Sequence, residues 1–233
     1  MPVLPADNGD GHGIYALMAT LEMPALKKGW NAFGYPLPED RPVKEALASV
    51  WDSLRMVARI DPDPKTWRFY NLQVEKVHPE FAKLVNDLPM LEFGKAYWLF
   101  ADQAVTPYLG VPDPAQLASD SAQVDSLEEP FSPALLYGPF TGAAAGTQIE
   151  AWLGDRLCGQ SQVIDWEGAP AYRLLVEAGQ ENGCGSPGQV IRLVVDGQVR
   201  GYLAWDNTQA IYAPLDLTGV YQGYPMYLPL LAK

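Results

Sequence analysis

Two cysteines, Cys158 and Cys184, constrain this chain more than any other pair of residues in it. Each stands beside glycine, in "LGDRLCGQ" and "ENGCGSPGQ", between runs that alternate apolar and polar residues. The pattern predicts two loops of one β-sandwich, close enough to be joined by a disulfide. Such a bond persists in oxidising surroundings, which points to an extracellular or cell-surface protein. The same thiols have competing uses. A metal site needs about four ligands, and neither a histidine nor a second cysteine pair lies near them. A redox pair needs C-x-x-C, which the sequence lacks. A cytoplasmic chain with both thiols reduced is the remaining competitor.

Charge narrows the partners. Sixteen basic against 28 acidic residues leave a net charge of −12. Nucleic acid and anionic membranes are bound mainly through Lys and Arg, so both are excluded as partners. No apolar run reaches the ~18–20 residues that span a bilayer as a helix. The start "MPVLPADNGDGHG" lacks the charged and apolar regions of a secretory leader, so an exported chain would have shed one. Glycine and proline number 21 each, a punctuation density that favours many short strands joined by turns.

The expected fold class is mostly β: a small α+β barrel-like domain over 14–110, then a seven-stranded antiparallel β-sandwich of transthyretin or Ig type over 132–218. Between them, 111–131 is rich in acid and proline and reads as a linker; 219–233 is a C-terminal tail. In the first half, "IYALMATLEM" and "GWNAFGYPL" suggest a hairpin. "EDRPVKEALASVWDSL" predicts a helix capped by Asp40, with Pro42 in its first turn and Val43, Ala46, Leu47, Val50 and Leu54 on one face. "LRMVARI" and "KTWRFYN" flank the turn "DPDP". "HPEFAKLVND" predicts one or two helical turns, followed by the strands "KAYWLFA" and "AVTPYLG". In the second half the predicted strands are "ALLYGPF", "TQIEAWL", "QVIDW", "AYRLLVEA", "QVIRLVV", "QVRGYLAW" and "AIYAPLDL". Asp196-Gly197 is the strongest short hairpin signal, because a type I′ turn needs positive φ at both positions.

Both halves resemble known modules. Gly29-Trp30-Asn31 with Pro36, "VKEALASV", Trp67 with Tyr70, and "DLPMLEFGKAYWLF" are similar to the glycine-tryptophan-asparagine modules of large secreted bacterial surface proteins. "YGPFTG", "GTQIEAWLGDRLCG", "GCGSPGQVIRLVVDG" and "LDL" resemble the transthyretin-like or carboxypeptidase-regulatory-like sandwich modules of the same proteins. The stretch "LQVEKVHPEFAKLVND" is longer and more charged than that pattern. The resemblance implies a non-catalytic module of adhesion, envelope or carbohydrate-handling proteins.

No catalytic constellation is present, and no cofactor or metal is expected. His12 and His78 lack a G-x-S-x-G partner and read as surface histidines. "DNGDGHG" fails an EF-hand spacing at Ala6 and Leu17, where acids are required. Asp155, Asp165, Glu167 and Asp206 read as solvated loop acids rather than a hydrolytic pair. With no lysine in the second half before Lys233, an internal Lys–Asn cross-link has no donor there. Exposed aromatics stack on sugar rings, and Trp152, Trp166 and Trp205 are the ligand-binding candidates; packing is the competing use of each. The expected function is a structural or adhesive module of a surface or secreted assembly. A carbohydrate- or protein-binding accessory module comes second and a glycoside hydrolase third. Partners would be proteins or further copies, met through sheet edges or the tail, or glycans.

Overall fold

The computed structural model describes residues 21–62, 65–109, 132–179 and 183–218. The expected linker 111–131 and tail 219–233, together with His12 and the 6–17 loop, lie outside the described residues. The protein is mostly β and is built from several antiparallel sheets.

The first half contains β1 (Leu21–Glu22), β2 (Gly29–Gly34), β3 (Arg41–Pro42), α1 (Val43–Ala46), β4 (Leu54–Pro62), β5 (Lys65–Asn71), α2 (Leu72–Val77), α3 (Ala82–Val85), β6 (Met90–Leu91), β7 (Ala96–Ala101) and β8 (Tyr108–Leu109). Four of these form an open sheet in the order β2-β7-β4-β5, with two free ends rather than the closure of a barrel. Of the first apolar run, 14–20 lie outside the described residues; its end, β1, pairs with β8, and β2 pairs with β7 rather than with β1. The β4–β5 hairpin forms as expected, with Met56 opposite Asn71 and Ile60 opposite Trp67.

The predicted helix is broken. α1 covers only Val43–Ala46, and a 3₁₀ stretch over Ala48–Ser53 follows. Pro42 is its N-cap and no side chain caps it; Asp40 instead accepts a hydrogen bond from Phe93 N at 3.0 Å. The apolar face survives the break, since Val43, Ala46, Leu47, Val50 and Leu54 are all buried in one cluster. Packing, not helical regularity, holds this segment.

The second half contains β9 (Ala134–Thr141), β10 (Gln148–Leu153), β11 (Arg156–Gln162), β12 (Ile164–Trp166), β13 (Ala169–Val176), β14 (Val190–Val195), β15 (Gln198–Ala204), β16 (Ala210–Tyr212) and β17 (Leu215–Asp216). They form two sheets, β11-β10-β14-β15 and β12-β13-β9-β16, with β17 also on β9. These share one core, with Leu136, Phe140, Tyr172 and Leu174 from one sheet against Ile149, Ala151, Leu193 and Val195 from the other. Asp196 (φ 49°) and Gly197 (φ 74°) adopt the expected turn.

Two expectations change. "AIYAPLDL" splits into β16 and β17, both parallel to β9, so the half is neither seven-stranded nor wholly antiparallel. Cys158 also lies within a strand, β11, because the hairpin reverses earlier at Gly154 (φ 58°). β11 then runs very close to β13: Cys158 O accepts from Glu177 N at 2.7 Å. A Cβ on Gly159 would stand 2.2 Å from the Leu175 carbonyl oxygen. Gly159→Ala is therefore expected to cost about 1–3 kcal/mol by forcing the strands apart; a urea melt reads it.

The third apolar cluster joins the two halves. Met56, Ala58, Phe69, Val74, Phe81, Leu84 and Val85 pack with Leu135, Tyr137 and Ala171. Alternation explains how one set of strands serves two layers. In β9, Ala134 and Leu136 face the core of the second half, while Leu135 and Tyr137 face the first. In β7, Tyr97 and Leu99 face the helical side, while Trp98 and Phe100 face the second half. The described residues thus form three stacked sheets with β12-β13-β9-β16 in the middle.

Candidate functional site

Where a cleft between halves would lie, aromatic side chains fill the space. Tyr137 is 2% exposed and contacts Phe81 and Tyr212, with ring centroids 5.8 and 5.6 Å away. His78 stacks on Tyr212 with centroids 3.8 Å apart, so it is an interface residue rather than the surface histidine expected. The long charged segment after β5 is what supplies this contact. Asn71 caps α2 by accepting from Gln73 N and Val74 N, and Asn86 Oδ1 accepts from Asn71 N, closing the segment on itself. Its apolar residues Val74, Phe81, Leu84 and Val85 then press on the middle sheet.

Polar contacts fix the register of this joint. Arg173, in the centre of the middle sheet, lies 3.1 Å from Asp87 of the first half and 6.0 Å from the Phe69 ring centroid. Burial pushes its guanidinium below the ordinary value, and Asp87 opposes that shift. Arg55 Nη1 donates to Thr208 Oγ1 at 3.4 Å. Burial raises the phenols of Tyr137 and Tyr172, holding both protonated; Tyr172 donates to Ala213 O at 2.5 Å.

Gly29-Trp30-Asn31 also acts at this joint. Gly29 has φ 100°, and the Asn31 carboxamide straps the turn by accepting from Lys27 N and donating to Lys27 O, at 2.7 and 2.8 Å. This sets Trp30 edge-on to Phe100, facing the second half.

The three candidate tryptophans are not brought together. Trp205 is 2% exposed, in the core beside Cys184, and its indole donates to Val176 O at 3.4 Å. It offers no face to a dissolved ligand, because Gly185 leaves room for the indole that a Cβ would take. Trp166 lies at the β12 edge and donates to Glu80 O of the first half at 3.0 Å, so it serves the joint. Trp152 alone stands on an outer sheet face, half-buried. Cys158 and Cys184 form the expected disulfide.

The outer face of β11-β10-β14-β15 sets Trp152 beside two groups that the sequence does not single out, Leu157 and Arg192. Register places Leu157, Trp152, Arg192 and Tyr202 in one line across four strands. The Arg192 guanidinium lies 5.9 Å from the Trp152 ring centroid and donates from Nη2 to Gly154 O at 3.2 Å. Trp152 Nε1 donates to Glu150 Oε2 at 2.8 Å. The clue was the same alternation used for Trp152: in "QVIRLVV", Ile191 and Leu193 point inward and leave Arg192 outward.

Two of the four loop acids serve turns. Asp165 Oδ1 accepts from Gly168 N, and Asp206 accepts from Thr208 and Gln209. A cavity of about 20 Å³ between Leu193, Gly201, Ala213 and Leu215 is the size of one water. No group of three or more His, Cys, Asp or Glu among the described residues is placed to hold a metal. No helix among them is long and apolar enough to cross a membrane.

These features define a mostly β, disulfide-bonded stack of sheets. Comparison with family models, with curated proteins and with solved structures finds no match for the chain.

Proposed function

We propose that this chain is a non-catalytic structural or adhesive module of a cell-surface or secreted assembly. It comprises a small α+β domain over 14–110, a tether over 111–131, and a transthyretin- or Ig-like sandwich over 132–218, elaborated by its parallel strands. The observation that carries the reading is the aromatic joint. Domain interfaces are by default small and polar and allow motion, whereas this one is apolar and carries the ion pair of a half-buried arginine. A stiff unit of this kind transmits force or spaces partners rather than closing on a substrate. The disulfide and the resemblance of both halves to surface-protein modules support the same setting. Self-association would use a sheet edge such as β15 or the tail 219–233.

Thiol alkylation followed by mass measurement tests the setting on protein taken from its own cells. Both cysteines are expected to be unreactive and the protein to reside in the surface or external fraction; two alkylated thiols on a cytoplasmic protein would contradict the reading. A second reading, an accessory module that binds glycans, is favoured by the aromatic and arginine line on the outer sheet.

A further inference from the structure

We propose that the outer face of β11-β10-β14-β15 binds an acidic oligosaccharide, with Trp152 and Tyr202 stacking on sugar rings and Arg192 and Arg200 taking the carboxylates. The proposal deepens the adhesive reading by naming a ligand class, and it rests on that reading for its biological sense alone.

Charge selects the ligand. Arg41, Arg55, Arg59, Arg68 and Arg173 each pair with a carboxylate. Arg192 and Arg200 pair with none among the described residues, in a chain with 12 more acids than bases. Arg192 lies opposite Tyr202 on this face, and Arg200 is two residues from Tyr202 on the same strand, the unpaired residue of a bulge. Their Nε atoms are shielded from solvent with no partner, although each has one Nη nitrogen tied down, Arg192 to Gly154 O and Arg200 to Gln198 Oε1 at 2.8 Å. One Nη nitrogen of each fork is thus held in place, and the other makes no hydrogen bond among the described residues.

Shape sets the other anions apart. Trp152 and Tyr202 are two strands apart, about 10 Å by sheet spacing, with Arg192 between them. An open sheet face of this kind lacks the groove in which helical or proline-rich peptides dock, and the strand edge at β15 lies beside the aromatic line rather than on it. Single-stranded nucleic acid is held by a positively charged groove that tracks its backbone over several nucleotides, which a face with two unpaired arginines does not supply. Sugar acids place a carboxylate beside each broad apolar ring face, which matches two rings flanking two cations.

The test is calorimetric titration of the whole protein with a hexamer of galacturonic acid, a neutral galactose hexamer and hexaglutamate. The acidic sugar is expected to bind at least about tenfold more tightly than either control. Arg192→Gln and Trp152→Ala are each expected to weaken it by about tenfold, with melting curves close to that of the parent. Should Trp152→Ala unfold the protein, Arg200→Gln and Tyr202→Ala carry the same test. Lack of binding, equal binding of the neutral sugar or of hexaglutamate, or binding indifferent to these substitutions would overturn the proposal. None of those results bears on cysteine oxidation or cellular location, so the surface-module reading is judged separately.

Discussion

Replacing Tyr137 with alanine is expected to lower stability by about 3–5 kcal/mol, the range for truncating a buried aromatic. For a chain of this size that is a fall of on the order of 10 °C in melting temperature. The side chain sits in the middle sheet but touches Phe81 of the first half and Tyr212 of the second. Its removal leaves a void between sheets that are held apart by their other side chains and cannot collapse fully. The loss is therefore expected in both halves at once. Indole fluorescence, to which tryptophans of both halves contribute, and the far-ultraviolet signal should shift together. A shift confined to one signal would mean the joint carries little of the energy.

Cutting the disulfide is expected to have an effect of similar size. A 26-residue separation between Cys158 and Cys184 gives about 3.5 kcal/mol from the lost restriction of the unfolded chain. The paired Cys158→Ala, Cys184→Ala protein should melt on the order of 10 °C lower. The bond ties β11, an edge strand, to the turn that carries Gly185 and supports Trp205. The Trp205 environment should thus loosen first, read by hydrogen exchange at Val176 and Glu177. A double alanine protein that melts within about 1 °C of the parent would show the bond to be dispensable.

Much of this was written in the sequence where alternation or turn chemistry is strict. The hairpins at "DPDP" and Asp196-Gly197 needed nothing beyond local preference. The short apolar row Ala134–Tyr137 also held a signal: an unbroken run in a strand marks burial on both faces, and β9 is buried on both. The sequence reading treated it as an ordinary strand, and the joint went unseen. β11 was missed for the opposite reason. "RLCGQSQ" is polar because it is an edge strand with one wet side, and its glycine looks like a turn. That glycine is instead demanded by the carbonyl of Leu175. The pairing of β2 with β7, 68 residues apart at Asn31 and Leu99, leaves no local trace at all.

The candidate site was legible only in part. Trp152 was placed outward by alternation, but its neighbours in space come from strands 40 and 50 residues away, Arg192 and Tyr202. Trp205 looked like a rim residue because it ends a strand; the disulfide turn folds over it.

Differential scanning calorimetry of the intact, oxidised protein tests the central claim most directly, that one aromatic joint makes the two halves a single body. One transition whose calorimetric and van't Hoff enthalpies agree is the predicted result, moving as a whole in Tyr137→Ala. Two separate transitions in the parent, with only one displaced by that substitution, would contradict it.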